Sequence, residues 1–534
     1  MTLLSDTPTI NIPNTFNAAS YFVDANLERS YGSRTAVICE GREYTYAQIA
    51  ELVNRTGNAF RSIGLDLEQR VLMLTLDSPE FVASFFGAMK IGAVAVPLNT
   101  LMKTQDYDYF LKDSRARLLV VSEPLLPLVE PILAGLRYLK HVIVACTQPG
   151  GVTEAGLKEK GYLLFHEITA AASPELEAEP TSKDDAAFWL YSSGTTGSPK
   201  GAVHLHHDMV YATELYARRV LNIGPDDRCY SVAKLFFAYG LGNGLYFPFA
   251  VGASTVLMPG RPEPKKIFEL CAATKPTLFY GVPTAYAGML TLPESPEYRL
   301  NSVRQGVSAG EALPKHIWEK FKSRFGVEIL DGIGSTEILH IFISNRAGKV
   351  KPGSSGQVVP GYEARIVDEH GQDVPPNEEG NLLIKGDSTT AYYWNKHDKT
   401  KETIIGDWIR TGDKYHVDDD GYYWYHGRGD DMIKAGGIWV SPIEVENALI
   451  EHSAVLECGV VGRTDSDELI KPMAYITLKP GFAPTPDLEA ELKQFVKDKI
   501  AVYKYPRWIE FVDSLPRTAT GKLQRFRLRE KANS

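Results

Sequence analysis

Residues 191–201 read YSSGTTGSPKG, glycines interleaved with hydroxyl side chains and followed by a lysine. Gly194, Gly197 and Gly201 permit backbone turns that other residues resist. Successive free N–H groups in such turns cup an anion. Thr195, Thr196 and Ser198 add hydroxyl donors and Lys200 a point charge. The spacing departs from the P-loop pattern G-x-x-x-x-G-K-[ST], because Pro199 separates the last serine from the lysine and glycine follows it. This is no ordinary Walker loop; a flexible Ser/Gly surface turn is the alternative. The preceding DAAFWLYSS reads as a strand running into the loop, and the C-terminal end of a strand is where open α/β sheets place ligands.

The chain of 534 residues implies roughly three or four compact units. Its 44% hydrophobic and 23% charged residues are the composition of a soluble globular protein. A net charge of -9 argues against nucleic-acid binding, which needs a basic face. Cys39, Cys146, Cys229, Cys271 and Cys458 are scattered without a C-x-x-C pair, which points to a reducing, cytoplasmic compartment rather than a disulfide framework or zinc site. The N-terminus lacks the basic-then-apolar order of a signal peptide. An uncharged run between Lys234 and Arg261 is long enough to span a membrane, but its glycines and prolines favour a buried helix and strand joined by turns.

Outward from the loop, strands and helices alternate. TYAQIAELVNRTGNAFRSIGL opens with Thr45 and Gln48 in capping-box spacing and keeps an apolar helical stripe. RVLMLTL, AVAVPLN, ARLLVVSE and HVIVACT read as strands, and PEFVASFFGAMKIG as a helix opened by proline. The alternation predicts parallel sheets covered on both faces. Near residue 430 the composition changes, and PIEVENALIEH, VLECGVV, MAYITLK, DLEAELKQFVKDKI and WIEFVD form a compact α+β run. The turn GRGDD between the two parts is a candidate hinge.

Three further turns carry chemical side chains. DGIGSTE, residues 331–337, ends in Glu337, an oxygen ligand suited to Mg²⁺ or equally the acidic first turn of a helix. TGD, residues 411–413, offers Asp413 to a ribose diol, and RTATGK, residues 517–522, carries Lys522. Alone, the last two are indistinguishable from ordinary solvated turns.

Together the segments say more. YSSGTTGSPKG, SAGEALP, DGIGSTE, TGD, GRGDDMIKAGG and PRTATGK, in this order and at these separations, resemble the AMP-forming acyl-CoA synthetases, the adenylating (ANL) superfamily that includes luciferases and peptide-synthetase adenylation domains. The resemblance spans nearly the whole chain. FWLYSSGTTGSPKGAVHLHHD, KLFFAYGLGNG and GIGSTEILHIFIS are similar to the benzoate-CoA ligase branch. It implies an α/β fold: a large N-terminal domain, residues 1–429, of parallel and mixed sheets covered by helices with a β-barrel-like part, and a small mobile α+β domain, residues 430–534. It also implies ATP, Mg²⁺ and coenzyme A as reactants, a cytosolic role in aromatic catabolism, and a homodimer.

By the same resemblance, Thr195, Thr196, Ser198 and Lys200 contact the departing pyrophosphate, with Ser192, Ser193, Gly194 and Gly197 in the same ATP-binding loop. Thr336 hydrogen-bonds the α-phosphate and Glu337 holds Mg²⁺. Gly310, Glu311 and Ala312, with Asp331, Gly332 and Ile333, line the adenine. Asp413 and Arg428 bind the ribose. Lys522 bridges the carboxylate and the α-phosphate. Asp430 is the hinge, and Gly436 and Gly437 line the coenzyme A channel. Two positions depart from the wider family: Ile333 where tyrosine is common, and Phe237 where many relatives have histidine. Phe237, Ala238, Tyr239, Gly240, Ile338 and His340 form the acyl pocket, a short flat slot suited to an unsubstituted aromatic ring. His340 reads equally as an interior histidine. A fatty-acyl-CoA ligase, an enzyme loading a separate carrier protein, and a non-catalytic nucleotide binder are the other readings, the last disfavoured by the presence of Lys200, Glu337 and Lys522.

Overall fold

The computed structural model describes residues 10–147, 153–192, 198–435, 438–465, 470–500, 502–517 and 522–533. The chain divides into two compact units, Met1–Glu363 with Ile384–Ile409, and Ala364–Leu383 with Arg410–Ser534.

The first unit is built on an eight-stranded and a nine-stranded sheet. In the former, Arg70–Leu74, Val94–Pro97, Leu118–Ser122 and His141–Ala145 run parallel. Their nearly unbroken apolar sequences follow from burial on both faces. Helix Tyr46–Ser62 starts where its capping box predicts: Gln48 N–H donates to Thr45 Oγ1 at 3.2 Å, and Thr45 N–H donates to Gln48 Oε1 at 2.9 Å. Helix Pro79–Lys90 has proline in its first turn and is almost wholly buried. The two helices meet glycine to glycine. A Cβ on Gly87 would lie 3.1 Å from the backbone of both Gly57 and Val53.

The uncharged run folds as a helix and a strand. Ala238–Leu241, a π-helical turn Gly242–Tyr246, and Phe247–Val251 follow one another directly, and Ser254–Leu257 enters the nine-stranded sheet. Among the described residues no helix is long and apolar enough to cross a membrane. The sheet around the predicted loop is mixed, because Ala186–Ser192 and Lys200–Leu205 pair as an antiparallel hairpin.

In the second unit, Val455–Thr464, Ile470–Leu478 and Trp508–Phe511 form a three-stranded sheet. Helix Pro486–Lys499 buries Leu488, Leu492 and Val496. Helix Arg525–Ala532 is tied electrostatically: Arg525 pairs with buried Glu446 at 2.6 Å and Arg529 with Asp431 at 2.8 Å.

Gly87→Val overpacks the helix crossing and should cost about 1–3 kcal/mol of stability. Thermal unfolding should show a lower midpoint while the KM values for every substrate stay at the wild-type level.

Candidate active site

The hairpin places its residues by register. Ser192 faces Lys200 across the pair, at the two ends of the predicted anion loop. Tyr109 hydroxyl donates to Pro199 carbonyl at 2.9 Å and steadies the exit of that loop. Residues 193–197 lie outside the described residues, so Ser193, Gly194, Thr195, Thr196 and Gly197 have no structural description; Ser198 is exposed and Lys200 half-buried. A short strand, Tyr392–Tyr393, adds antiparallel to Lys200–Leu205 with Tyr393 opposite Ala202. Lys200 Nζ stands 4.5 Å from the centroid of the Tyr393 ring.

Glu337 is brought to the same place. Its Oε1 accepts from Ser192 hydroxyl at 3.1 Å and from Tyr393 hydroxyl at 2.7 Å. It lies on the turn Thr336–Ile338, whose three carbonyls all have acceptor roles. Thr336 carbonyl faces His204 Nε2 at 2.8 Å, Glu337 carbonyl accepts from Thr390 N–H at 2.6 Å, and Ile338 carbonyl accepts from Ser388 hydroxyl at 2.9 Å. Leu339 closes the turn with φ 71° and ψ −41°. A branched side chain at positive φ is a strained conformation costing about 1–3 kcal/mol, of the kind that clusters at functional sites.

Next to this turn is a buried aromatic cluster. His340 is buried, with its ring centroid 4.4 Å from Phe247, 5.4 Å from Tyr216 and 5.6 Å from Tyr239. Its Nε2 faces two acceptors, Asn243 Oδ1 at 3.1 Å and Tyr239 carbonyl at 3.3 Å, so the hydrogen is on Nε2. Desolvation pushes its pKa down to about 3, and the ring is neutral. The glycines of AYGLGNG make room for this packing: a Cβ on Gly242 would lie 2.5 Å from the His340 ring, and one on Gly240 would lie 2.1 Å from Lys234 carbonyl. Tyr239 hydroxyl is 3.1 Å from the carbonyls of Gly281 and Val307. Phe237, Ala238 and Tyr239 remain half-exposed, whereas Gly240, Ile338 and His340 are buried.

Family models for AMP-binding enzymes match residues 24–394, and those for the AMP-binding enzyme C-terminal domain match residues 444–522. The chain belongs to the AMP-binding, adenylating enzyme family. It is 52% identical over 524 residues to the benzoate–CoA ligase of Thauera aromatica, covering 98% of this chain and 97% of that one. Among solved structures, the anthranilate CoA ligase AuaEII in complex with anthranoyl-AMP superposes with a TM-score of 0.92 at 45% identity, covering 98% of both chains. A benzoate CoA ligase from Burkholderia xenovorans LB400 superposes with a TM-score of 0.88 at 46% identity, covering 96% of this chain and 100% of that one.

The other residues expected of an adenylating enzyme have definite environments. Gly310 is exposed with φ 93°, and Glu311 and Ala312 are half-buried beside it. Asp331 is buried, and its carbonyl accepts both the N–H of Asn345 at 2.9 Å and the Asn345 amide at 3.1 Å. Gly332 is buried against Ile343 and Ser344, and Ile333 is half-buried. In the second unit Asp413 and Arg428 stand opposite each other on paired strands, 3.2 Å apart. Burial raises the Asp413 pKa; Arg428 and, more weakly, Lys522 oppose that shift. Lys522 is exposed, Asp430 lies in the turn Gly429–Asp431, and Gly436 and Gly437 fall outside the described residues.

Sequence reading missed Tyr393, Ser388, Thr390, His204 and Asp208. The first three lie in STTAYYWN, which has no motif spacing, and the last two are in the quoted GAVHLHHD, where nothing marks one histidine above the others.

Burial, opposed in part by the Leu313 N–H, pushes the Asp331 carboxyl up to about 8. Its folded pKa then exceeds its unfolded one, so its contribution to stability is complete below about pH 4, falls steadily as pH rises, and is gone once pH passes about 8. Asp331→Asn should flatten the fall in melting temperature between about pH 4 and about pH 8. An unchanged pH profile would show that this carboxyl is not held protonated.

Proposed function

We propose that the protein is an AMP-forming acid–thiol ligase that activates an aromatic carboxylate, benzoate foremost, with ATP and passes the acyl group to coenzyme A. The observation that carries the substrate class is the aromatic cluster at His340, beside the half-exposed Phe237, Ala238 and Tyr239. Its rings pack within 4.4–5.6 Å of the imidazole, and Gly242 lies directly against that ring. An acid site walled by such rings favours a flat acid over a long acyl chain. The named activity of the relative that is 52% identical supports the same reading.

The chemistry needs two steps because a carboxylate has only oxide as a leaving group. In the first, a carboxylate oxygen attacks the α-phosphorus of ATP, the bond to the bridging oxygen breaks, and pyrophosphate departs. In the second, the sulfur of coenzyme A attacks the acyl carbon, AMP departs as its anion, and the thiol proton passes to water. Charge accumulates on the phosphates during the first step, so pre-placed donors and cations have their largest effect there. The loop from Ser192 to Lys200 holds the departing pyrophosphate, and Thr336 hydrogen-bonds the α-phosphate. Glu337 suits Mg²⁺ arriving with the phosphates, since it is a hard oxygen ligand held in place by Ser192 and Tyr393. When bound, that ion neutralises phosphate charge. The segment of Gly310 to Ala312 and that of Asp331 to Ile333 take the adenine, and Asp413 with Arg428 takes the ribose.

We assign residues 1–429 to adenylation and residues 430–534 to a part that turns at Asp430 between the steps. Lys522 serves the first step, and the segment of Gly436 and Gly437 serves the second. The five cysteines, all free, support a cytoplasmic location.

Purified protein given ATP, Mg²⁺ and benzoate should release pyrophosphate, and with coenzyme A should form benzoyl-CoA in step with it. Benzoyl-AMP that coenzyme A does not consume would indicate carrier-protein loading. Turnover of a medium-chain fatty acid but not benzoate would refute the pocket reading. Lys522→Ala should lower benzoyl-AMP formation by about two to three orders of magnitude while leaving thioester formation from supplied benzoyl-AMP nearly intact. Equal loss in both half-reactions would refute its assignment to the first step alone.

A further inference from the structure

His204 lies in strand Lys200–Leu205, and Asp208 opens the helix Asp208–Ala212. Both side chains are fully buried, with Nδ1 of the imidazole 2.7 Å from Asp208 Oδ2. The other nitrogen, Nε2, is 2.8 Å from Thr336 carbonyl oxygen. The ring stacks on Phe188 at 5.2 Å and 17°, which fixes its plane.

The donor inventory follows from these partners. A carbonyl oxygen only accepts, so Nε2 carries a hydrogen. Asp208 Oδ2 also accepts from Leu205 N–H at 3.2 Å, which fixes the carboxyl against Nδ1. Nε2 therefore donates to Thr336 carbonyl while Asp208 holds the other end of the ring, away from water. His207 Nδ1, 3.1 Å from the second Asp208 oxygen, flanks the pair.

We propose that His204 and Asp208 are positioning residues for adenylation: the imidazole, oriented by Asp208, clamps Thr336 carbonyl through Nε2–H and so sets the strained Thr336–Leu339 turn that carries Thr336 and Glu337. The clamp works with the Thr390 N–H and the Ser388 hydroxyl on the next two carbonyls. Of the three it is the one that reaches the turn from the hairpin that also supplies Ser192 and Lys200. The proposal rests on the reading that Thr336 and Glu337 act on the α-phosphate and its metal.

The test compares His204→Gln with His204→Leu. Both remove the imidazole partner of Asp208, but only glutamine retains an N–H for Thr336 carbonyl. His204→Leu should lower the rate of benzoyl-AMP formation about ten- to a hundredfold, with the KM for benzoate within about twofold. His204→Gln should recover most of that rate at a melting temperature similar to that of the leucine variant. Equal losses in the two variants, or wild-type rates in both, would overturn the clamp. A second measurement reads the ring directly: protein labelled with ¹⁵N-histidine should show a solvent-protected Nε2–H ring signal in the wild type that is missing from His204→Gln. Absence of any such signal would also overturn it. Because the spectrum does not depend on turnover, a wild-type protein inactive with every aromatic acid but showing the ring would count against the catalytic reading and not against the pair.

Discussion

The register of one hairpin organises the first unit's site. Pairing Ala186–Ser192 with Lys200–Leu205 sets Ser192 against Lys200, and the two-residue alternation of a strand puts Lys200 and His204 on one face. A slip of one residue would turn both side chains to the other face and remove Ser192 from Glu337. The short strand Tyr392–Tyr393 takes its own register from the same edge, so Tyr393 reaches both Glu337 and the Lys200 ammonium. Three segments distant in sequence thus converge through backbone pairing rather than through side-chain affinity.

Burial then decides which side chains carry charge. His340 is neutral because desolvation outweighs its acceptors, which makes the aromatic pocket apolar around an uncharged ring. Asp331 is pushed up by the same force, and its main-chain carbonyl is taken by Asn345. His204 is equally buried, and its two ring nitrogens are met by a carboxyl group and a carbonyl. Buried polar groups in this unit thus differ chiefly in the hydrogen-bond partners that meet them.

Much of the architecture was legible in the chain. The capping box at Thr45 and Gln48, the proline opening of Pro79–Lys90 and the apolar runs of the parallel strands depend on neighbours within a few residues, where sequence is most informative. The uncharged run from residue 235 resolved as predicted because its glycines and prolines limit helix length. The hairpin around the anion loop was less legible. DAAFWLYSS reads as a strand, but nothing local says that its next partner folds back antiparallel. AYGLGNG announced small residues; that Gly242 makes room for the His340 ring depends on a residue about a hundred positions away.

The sequence by itself determined the family, the alternation of helix and strand, and the residue types available for phosphate, metal and carboxylate chemistry, because these reside in short motifs and local periodicity. Only the tertiary structure decided that Tyr393 shares Glu337 with Ser192, that one of the histidines in HLHH faces Thr336, and that the turn bearing both functional side chains is strained at Leu339. The contacts among them join segments 56 to 145 residues apart, and a chain read in order has no term for them.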